Sequence, residues 1–263
     1  MNKYDLEHKL LRGSVLYLDD IPTYKITLGE MADAGFLKLQ NVISILCMDD
    51  DKAIELLNGA IENPSTFMLI MLNILQEQNQ VNKEKSDDTS DFMSALILFY
   101  MTLLFRKKVV FHQDYGFIIG DENDEIRILN HLNYDKFRKI IKERNCLIDL
   151  DGIDECDNPN SEMARKLLEK RRKLREKLKK SKQIGDDEES LTMADLISIF
   201  AQAEHMSLQA VYDNYDIYQF NNQFNRLKIM DDFHVNIQAL LAGAKSEDVK
   251  LQHWLSRIKK QND

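Results

Sequence analysis

The densest cluster of groups able to bind a metal is Asp149-Leu150-Asp151-Gly152-Ile153-Asp154-Glu155-Cys156-Asp157, with five carboxylates in nine residues. Clustered carboxylates are what calcium and magnesium require. The spacing fails the test for a helix–loop–helix calcium site, because glycine stands fourth instead of sixth and no closing glutamate follows at the required distance. A solvated acidic loop that caps the next helix is the favoured reading. The six histidines, His8, His112, His131, His205, His234 and His253, are scattered, and only folding could gather them into an acid–base or metal site. Cys47, Cys146 and Cys156 have neither CxxC nor CxxH spacing, which suggests no disulfide framework and no zinc ribbon and fits a reducing cytoplasm. Phosphate-loop, dinucleotide, nucleophile-elbow and HExxH signatures are missing. The expectation is therefore a protein that is not an enzyme, with no catalytic residues, no cofactor and no metal.

Charge is the other chemical feature. Residues 165–182 hold eleven Lys or Arg against two Glu, a local +9 in a chain of net charge −9. Arg165, Arg171, Arg172, Lys173, Arg175, Lys179 and Lys180 are candidate polyanion contacts, since neutralising phosphates releases counterions. Against nucleic acid stand the acidic whole and the lack of interleaved aromatics for base stacking. A nucleic-acid-binding or regulatory protein acting through residues 165–182 is accordingly the second reading, and a solvent-spanning connector helix is preferred. No membrane association is expected: the most apolar run, residues 92–105, is fourteen residues long, and a bilayer needs about 20.

The elements that must position these groups follow from periodicity. With 263 residues, 44% of them apolar, and three prolines, the chain suits one large globular domain or two small ones. A hairpin is expected from residues 15–18 and 24–28 around Asp19-Asp20-Ile21-Pro22. Thr27, with Glu30 three residues on, should cap one helix carrying Leu28, Met31, Leu39, Val42, Ile43 and Leu46. A short helix over 51–59 and a nearly all-apolar helix after Pro64, capped by Ser65, come next. Residues 76–89 read as a polar loop, and 92–105 as a buried helix. Three β-type runs, 109–111, 117–119 and 126–129, predict an antiparallel meander, followed by a helix over 134–143 and a short strand at 148–150.

Asp157-Asn158-Pro159-Asn160 then breaks the chain before the basic helix, which ends at Gly185 and the acidic residues 186–189. Thr192 and Asp195 have capping-box spacing ahead of an apolar stripe. A short helix over 207–212 leads to a long one on which Ile217, Phe220, Phe224, Leu227, Met230, Phe233, Ile237 and Leu240 recur, with Gly243 as its cap. The predicted fold is α+β and mainly helical: an N-terminal hairpin with helices, a small meander, a basic connector and a helical C-terminal module. The corresponding domains are 1–157, 158–189 and 190–263. Trp254, the only tryptophan, either packs as core on the long helix, the favoured reading, or anchors a partner. Trp254, Leu255, Leu251, Leu240 and Leu241 are the candidate partner-binding residues.

Two stretches carry a resemblance. Tyr24-Lys25-Ile26-Thr27-Leu28-Gly29-Glu30-Met31-Ala32-Asp33-Ala34-Gly35 is similar to a P-T-[IL]-G-E-I…G opening in a family of tailed-phage proteins from Gram-positive hosts, although Pro22 stands earlier than that family's proline. Residues 195–254 resemble the same family's C-terminal part through Leu240-Leu241-Ala242-Gly243 and the tryptophan a little further on. The resemblance implies a tail or baseplate assembly factor or a minor structural component. Its partners would be other phage tail or baseplate proteins, with self-association as a further mode, and its place the host cytoplasm during assembly or the virion tail. The first eleven residues lack a signal-peptide pattern and are expected to be the mature start.

Overall fold

The structure, a computed structural model, describes residues 3–57, 65–84, 93–121, 125–147, 191–243 and 253–255. The acidic cluster 149–157, the predicted strand 148–150, the basic segment 165–182 and Leu251 lie outside these residues. The fold is α+β and mainly helical. Two compact units are present, one made of Met1–Leu147 with Ser207–Asp263, the other of Ile148–Met206.

The larger unit begins with α1 (Lys3–Arg12), and then strands β1 (Leu16–Leu18) and β2 (Ile21–Thr23) pair antiparallel with Tyr17 opposite Pro22. The second strand thus comes earlier than its predicted place at 24–28, because the loop is only Asp19-Asp20. Asp19 takes a φ of 53°, the left-handed geometry that tight hairpin loops use. In such a hairpin the pair beside the loop carries the hydrogen bonds and the next pair does not, so Pro22 removes no ladder bond.

Residues 24–27 lead to α2 (Leu28–Asp33). Thr27 Oγ1 accepts from Glu30 N–H at 3.2 Å, and Thr27 N–H donates to Glu30 Oε2 at 2.9 Å. The expected single helix is in fact two: Gly35 has a φ of 90°, and α3 (Phe36–Leu46) starts afresh with Leu39, Val42, Ile43 and Leu46 buried. α4 spans Asp50–Leu57. α5 (Thr66–Glu84) runs well past the predicted end of the helix, since its Gln, Glu and Lys residues favour helix and ask for no burial. α6 (Met93–Phe105) is buried at Ile97, Tyr100, Met101, Leu104 and Phe105, and its Ser94 N–H donates to Glu77 of α5 at 2.8 Å.

The meander is as predicted: β3 (Val109–His112), β4 (Gly116–Ile119) and β5 (Arg127–Leu129), antiparallel in that order, followed by α7 (Tyr134–Arg144). An aromatic core ties these layers. Phe67 lies 5.2 Å from Tyr134 and 6.2 Å from Phe117 between ring centroids, and Phe137 lies 5.7 Å from Tyr134 and 5.9 Å from Phe105. Asp50 fastens the same region: it accepts from both the N–H and the hydroxyl of Thr66 at 2.8 Å, and from Arg138 Nη1 at 3.2 Å. Burial pushes its carboxyl up, but these donors outweigh burial and hold it below the ordinary value.

The described part of the smaller unit is α8 (Met193–Ala203), with the predicted Thr192–Asp195 capping box and with Ile197, Phe200 and Ala201 buried. In the larger unit, α9 (Leu208–Asn214) packs on α2 so closely that a Cβ added at Gly29 would meet Tyr212 O at 3.2 Å. The last helix, α10, spans Ile217–Leu241.

Gly116 has a φ of 89°, and a Cβ there would fall 2.6 Å from Leu129 O, whereas a Cβ at Gly35 meets nothing nearer than 3.5 Å. Chemical denaturation should show Gly116→Ala costing on the order of 2–3 kcal/mol and Gly35→Ala clearly less. An Asp with a depressed native value stabilises the fold while ionised, and that stability is lost as pH falls from about 4 through the depressed value. Asp50→Asn should therefore cost about 1 kcal/mol at pH 7, a small figure because the carboxyl is 43% exposed. The gap from wild type should close in denaturation curves recorded below pH 4.

A candidate protein-interaction surface and its anchor

The root of α10 is bound from several sides. Asp216 caps it, Oδ1 accepting from Gln219 N–H at 2.8 Å while Asp216 N–H donates to Gln219 Oε1 at 3.1 Å. Gln219 Nε2 donates to Leu11 O at 2.8 Å, Lys25 Nζ donates to Asn214 O at 2.7 Å, and Leu28 N–H donates to Tyr215 O at 2.8 Å. Tyr218 packs with Leu10 and Leu16, joined by Leu6 and Ile140.

Beneath the cap lies a buried ion pair. Arg144 Nη1 and Asp216 Oδ2 are 4.0 Å apart, and each side chain is 5% exposed. Arg144 Nη2 donates to Ser14 O and Thr23 O, both at 3.0 Å. Burial raises the Asp216 carboxyl, with Gln219 N–H and Arg144 opposing it, and burial lowers the Arg144 guanidinium, with Asp216 opposing. For both partners desolvation outweighs attraction, and a buried pair of this kind is a weak source of net stability although breaking it is costly.

Past its root α10 changes character. Ile217, Tyr218 and Phe220 are buried, and no residue from 221 to 241 is. The apolar repeat nevertheless continues through Phe224, Leu227, Met230, Phe233, Ile237 and Leu240, all half-buried or exposed, and Leu241 is 83% exposed. Gly243, with a φ of 96°, follows the helix end as its sequence position suggests. The chain returns so that Trp254 O accepts from Arg226 Nη1 at 2.9 Å and the His253 ring lies 5.3 Å from that of Phe233.

Trp254 is 41% exposed, which corrects the favoured reading of it as core; among the described residues its backbone carbonyl meets Arg226 and the neighbouring imidazole meets Phe233 of α10. Leu255 is 68% exposed. Trp254 stands beside Arg226, and Leu240 and Leu241 stand at the far end of α10, about 20 Å along the axis at the rise of an α-helix. These candidates therefore mark two ends of one stripe, not one cluster. Leu251 and the seven basic candidates, Arg165, Arg171, Arg172, Lys173, Arg175, Lys179 and Lys180, lie outside the described residues. Arg144 and Asp216 were not singled out from sequence, although Asp216 and Gln219 bear the spacing of a capping pair ahead of an apolar run.

Among the described residues no group of three or more His, Cys, Asp or Glu is arranged to hold a metal ion, and no helix is long and apolar enough to cross a membrane. A shallow cleft between α3, α5 and α6 is lined by Ile45, Ile70, Ile74 and Ile97, and its Glu77 is the acceptor for Ser94 N–H.

A family model described as the YomV second domain matches residues 179–259, a range that takes in α8, α9, α10 and the Trp254 turn. That domain family is phage-derived, so the match points to a phage protein. No curated protein and no solved structure matches the chain.

Replacing Arg144 leaves the Asp216 carboxylate buried without its counterion and removes the donor from two backbone carbonyls. Arg144→Met should thus cost about 3–5 kcal/mol. Asp216→Asn preserves the cap, because Asn serves as well there. The double variant should be less destabilised than the sum of the two singles, as measured by a double-mutant cycle in denaturant.

Proposed function

We propose that the protein is a non-catalytic interaction factor in phage tail or baseplate assembly, an assembly chaperone or minor structural component, which holds a tail or baseplate protein on the outer stripe of α10. The observation that carries this reading is the apolar repeat of α10, which continues for about six turns beyond the last buried residue of the helix. Phe224, Leu227, Phe233, Ile237 and Leu240 are half-buried, so a partner that covers them gains part of the about 1.5–3 kcal/mol that complete burial of such a side chain is worth. The partner this stripe suits presents an amphipathic helix or an apolar groove. The phage-derived domain match supports the setting, and the resemblance at residues 24–35 and 195–254 supplies the tail or baseplate role. Self-association through the same stripe is a further mode, with the host cytoplasm during assembly and the virion tail as the places of action.

The test is co-purification of tagged protein from infected cells, with mass spectrometry of the bound proteins and of mature virions. Wild type should retain a tail or baseplate protein. Phe233→Glu combined with Ile237→Glu should lose it while leaving the thermal midpoint within a few degrees, since neither residue is buried. Undiminished capture by that variant contradicts the proposal. Salt-sensitive retention on a polyanion column that survives the same variant favours the reading built on residues 165–182.

A further inference from the structure

The polar atoms around the Arg144–Asp216 pair do not close among themselves. Arg144 Nη1, Arg144 Nε and Asp216 Oδ2 are buried and have no hydrogen-bond partner among the described residues. Buried polar groups are satisfied in more than nine cases in ten, so each orphan asks for a physical account. Nη2 is already committed to Ser14 O and Thr23 O, and the Asp216 carboxyl takes Gln219 N–H on Oδ1 with Tyr218 N–H also acting on it, which leaves Nη1 and Oδ2 as the unpaired atoms nearest each other across the pair. Their separation of 4.0 Å is too long for a direct hydrogen bond and close to what one bridging molecule spans.

The chemistry of the two facing atoms selects the occupant. Nη1 offers a donor on a cation and Oδ2 an acceptor on an anion. A chloride or other small anion would suit the guanidinium but would meet the carboxylate at the same distance. A metal or ammonium ion would suit the carboxylate but would meet the guanidinium. A neutral molecule that accepts on one side and donates on the other satisfies both. Water does so, and internal waters in proteins bridge polar groups that would otherwise be unpaired. Arg144 Nε–H points to the other side of the guanidinium and is not part of this site.

We propose that a single ordered water occupies a site between Arg144 Nη1 and Asp216 Oδ2, accepting from the guanidinium and donating to the carboxylate, so that the ion pair at the root of α10 is water-bridged. Such a water lessens the desolvation borne by both charges and turns the pair into a fixed three-part link between α7 and the cap of α10. This inference concerns the anchor alone and stands whether or not the outer stripe of α10 binds a tail protein.

The full wild-type chain gives the test. A crystal structure at about 1.5 Å resolution should show density for one water within about 2.7–3.2 Å of both Nη1 and Oδ2. In solution, an Arg144 guanidinium proton should show a cross-relaxation peak to water with the sign of a molecule resident for longer than about a nanosecond. A direct Nη1–Oδ2 hydrogen bond near 2.9 Å with nothing between, an empty gap, or a peak with the sign of freely exchanging surface water overturns the proposal.

Discussion

Among the described residues Arg144 and Asp216 form an ion pair in which both side chains are withdrawn from water, and it lies where the ends of the larger unit meet. Arg144 closes α7, Asp216 opens α10, and the guanidinium also reaches the backbone just after α1 and at the end of β2. Desolvating a charge costs several kcal/mol, so hydrophobic residues at both positions could hold the elements together at less expense. What a paired, hydrogen-bonded arginine adds is direction. In the observed orientation of the α10 root Asp216 pairs with Arg144 through one oxygen and caps its own helix through the other.

The rest of the larger unit supplies a rigid seat for that link. The aromatic group of Phe67, Phe105, Phe117, Tyr134 and Phe137 binds α5, α6, β4 and α7, and Asp50 ties α4 to the start of α5 and to Arg138 of α7. α7 is therefore fixed along its length before Arg144 is reached. Outside the core, Arg106, just past the end of α6, pairs with Glu30 of α2. α10 inherits this rigidity only at its root: three of its first four residues are buried, and the remaining 21 are not. A helix fastened at its root in this way carries its apolar repeat, half-buried or exposed, beyond the core of the larger unit.

Much of this was legible in the sequence where the determinants are local. Thr27 with Glu30 and Thr192 with Asp195 marked helix starts because a capping box is complete within four residues, and the meander showed in its period of two. The break at Gly35 was hidden because the apolar spacing continues across it, and only the backbone angle separates α2 from α3. The end of α5 was missed because polar helix-formers and polar loops look alike when nothing requires burial. Trp254 was misread because a large aromatic is usually inside, whereas here its carbonyl, not its ring, makes the polar contact with Arg226. The Arg144–Asp216 pair has no local signature, since neither residue's neighbours announce the other. The domain match at 179–259 contains the whole C-terminal stretch, 195–254, on which the phage resemblance rested.

Among the described residues α10 is held by buried side chains at its root, whereas the contacts along its shaft, such as Arg226 with Trp254 O and Phe233 with the His253 ring, leave no residue from 221 to 241 buried. Amide hydrogen exchange on the free, full-length protein reads this directly, because protection in a helix reflects the free energy of opening each stretch. The account predicts slow exchange at Phe220 and its immediate successors, comparable to the cores of α6 and α7, and exchange faster by orders of magnitude over residues 230–241. Protection over 230–241 as strong as that at Phe220 would contradict it.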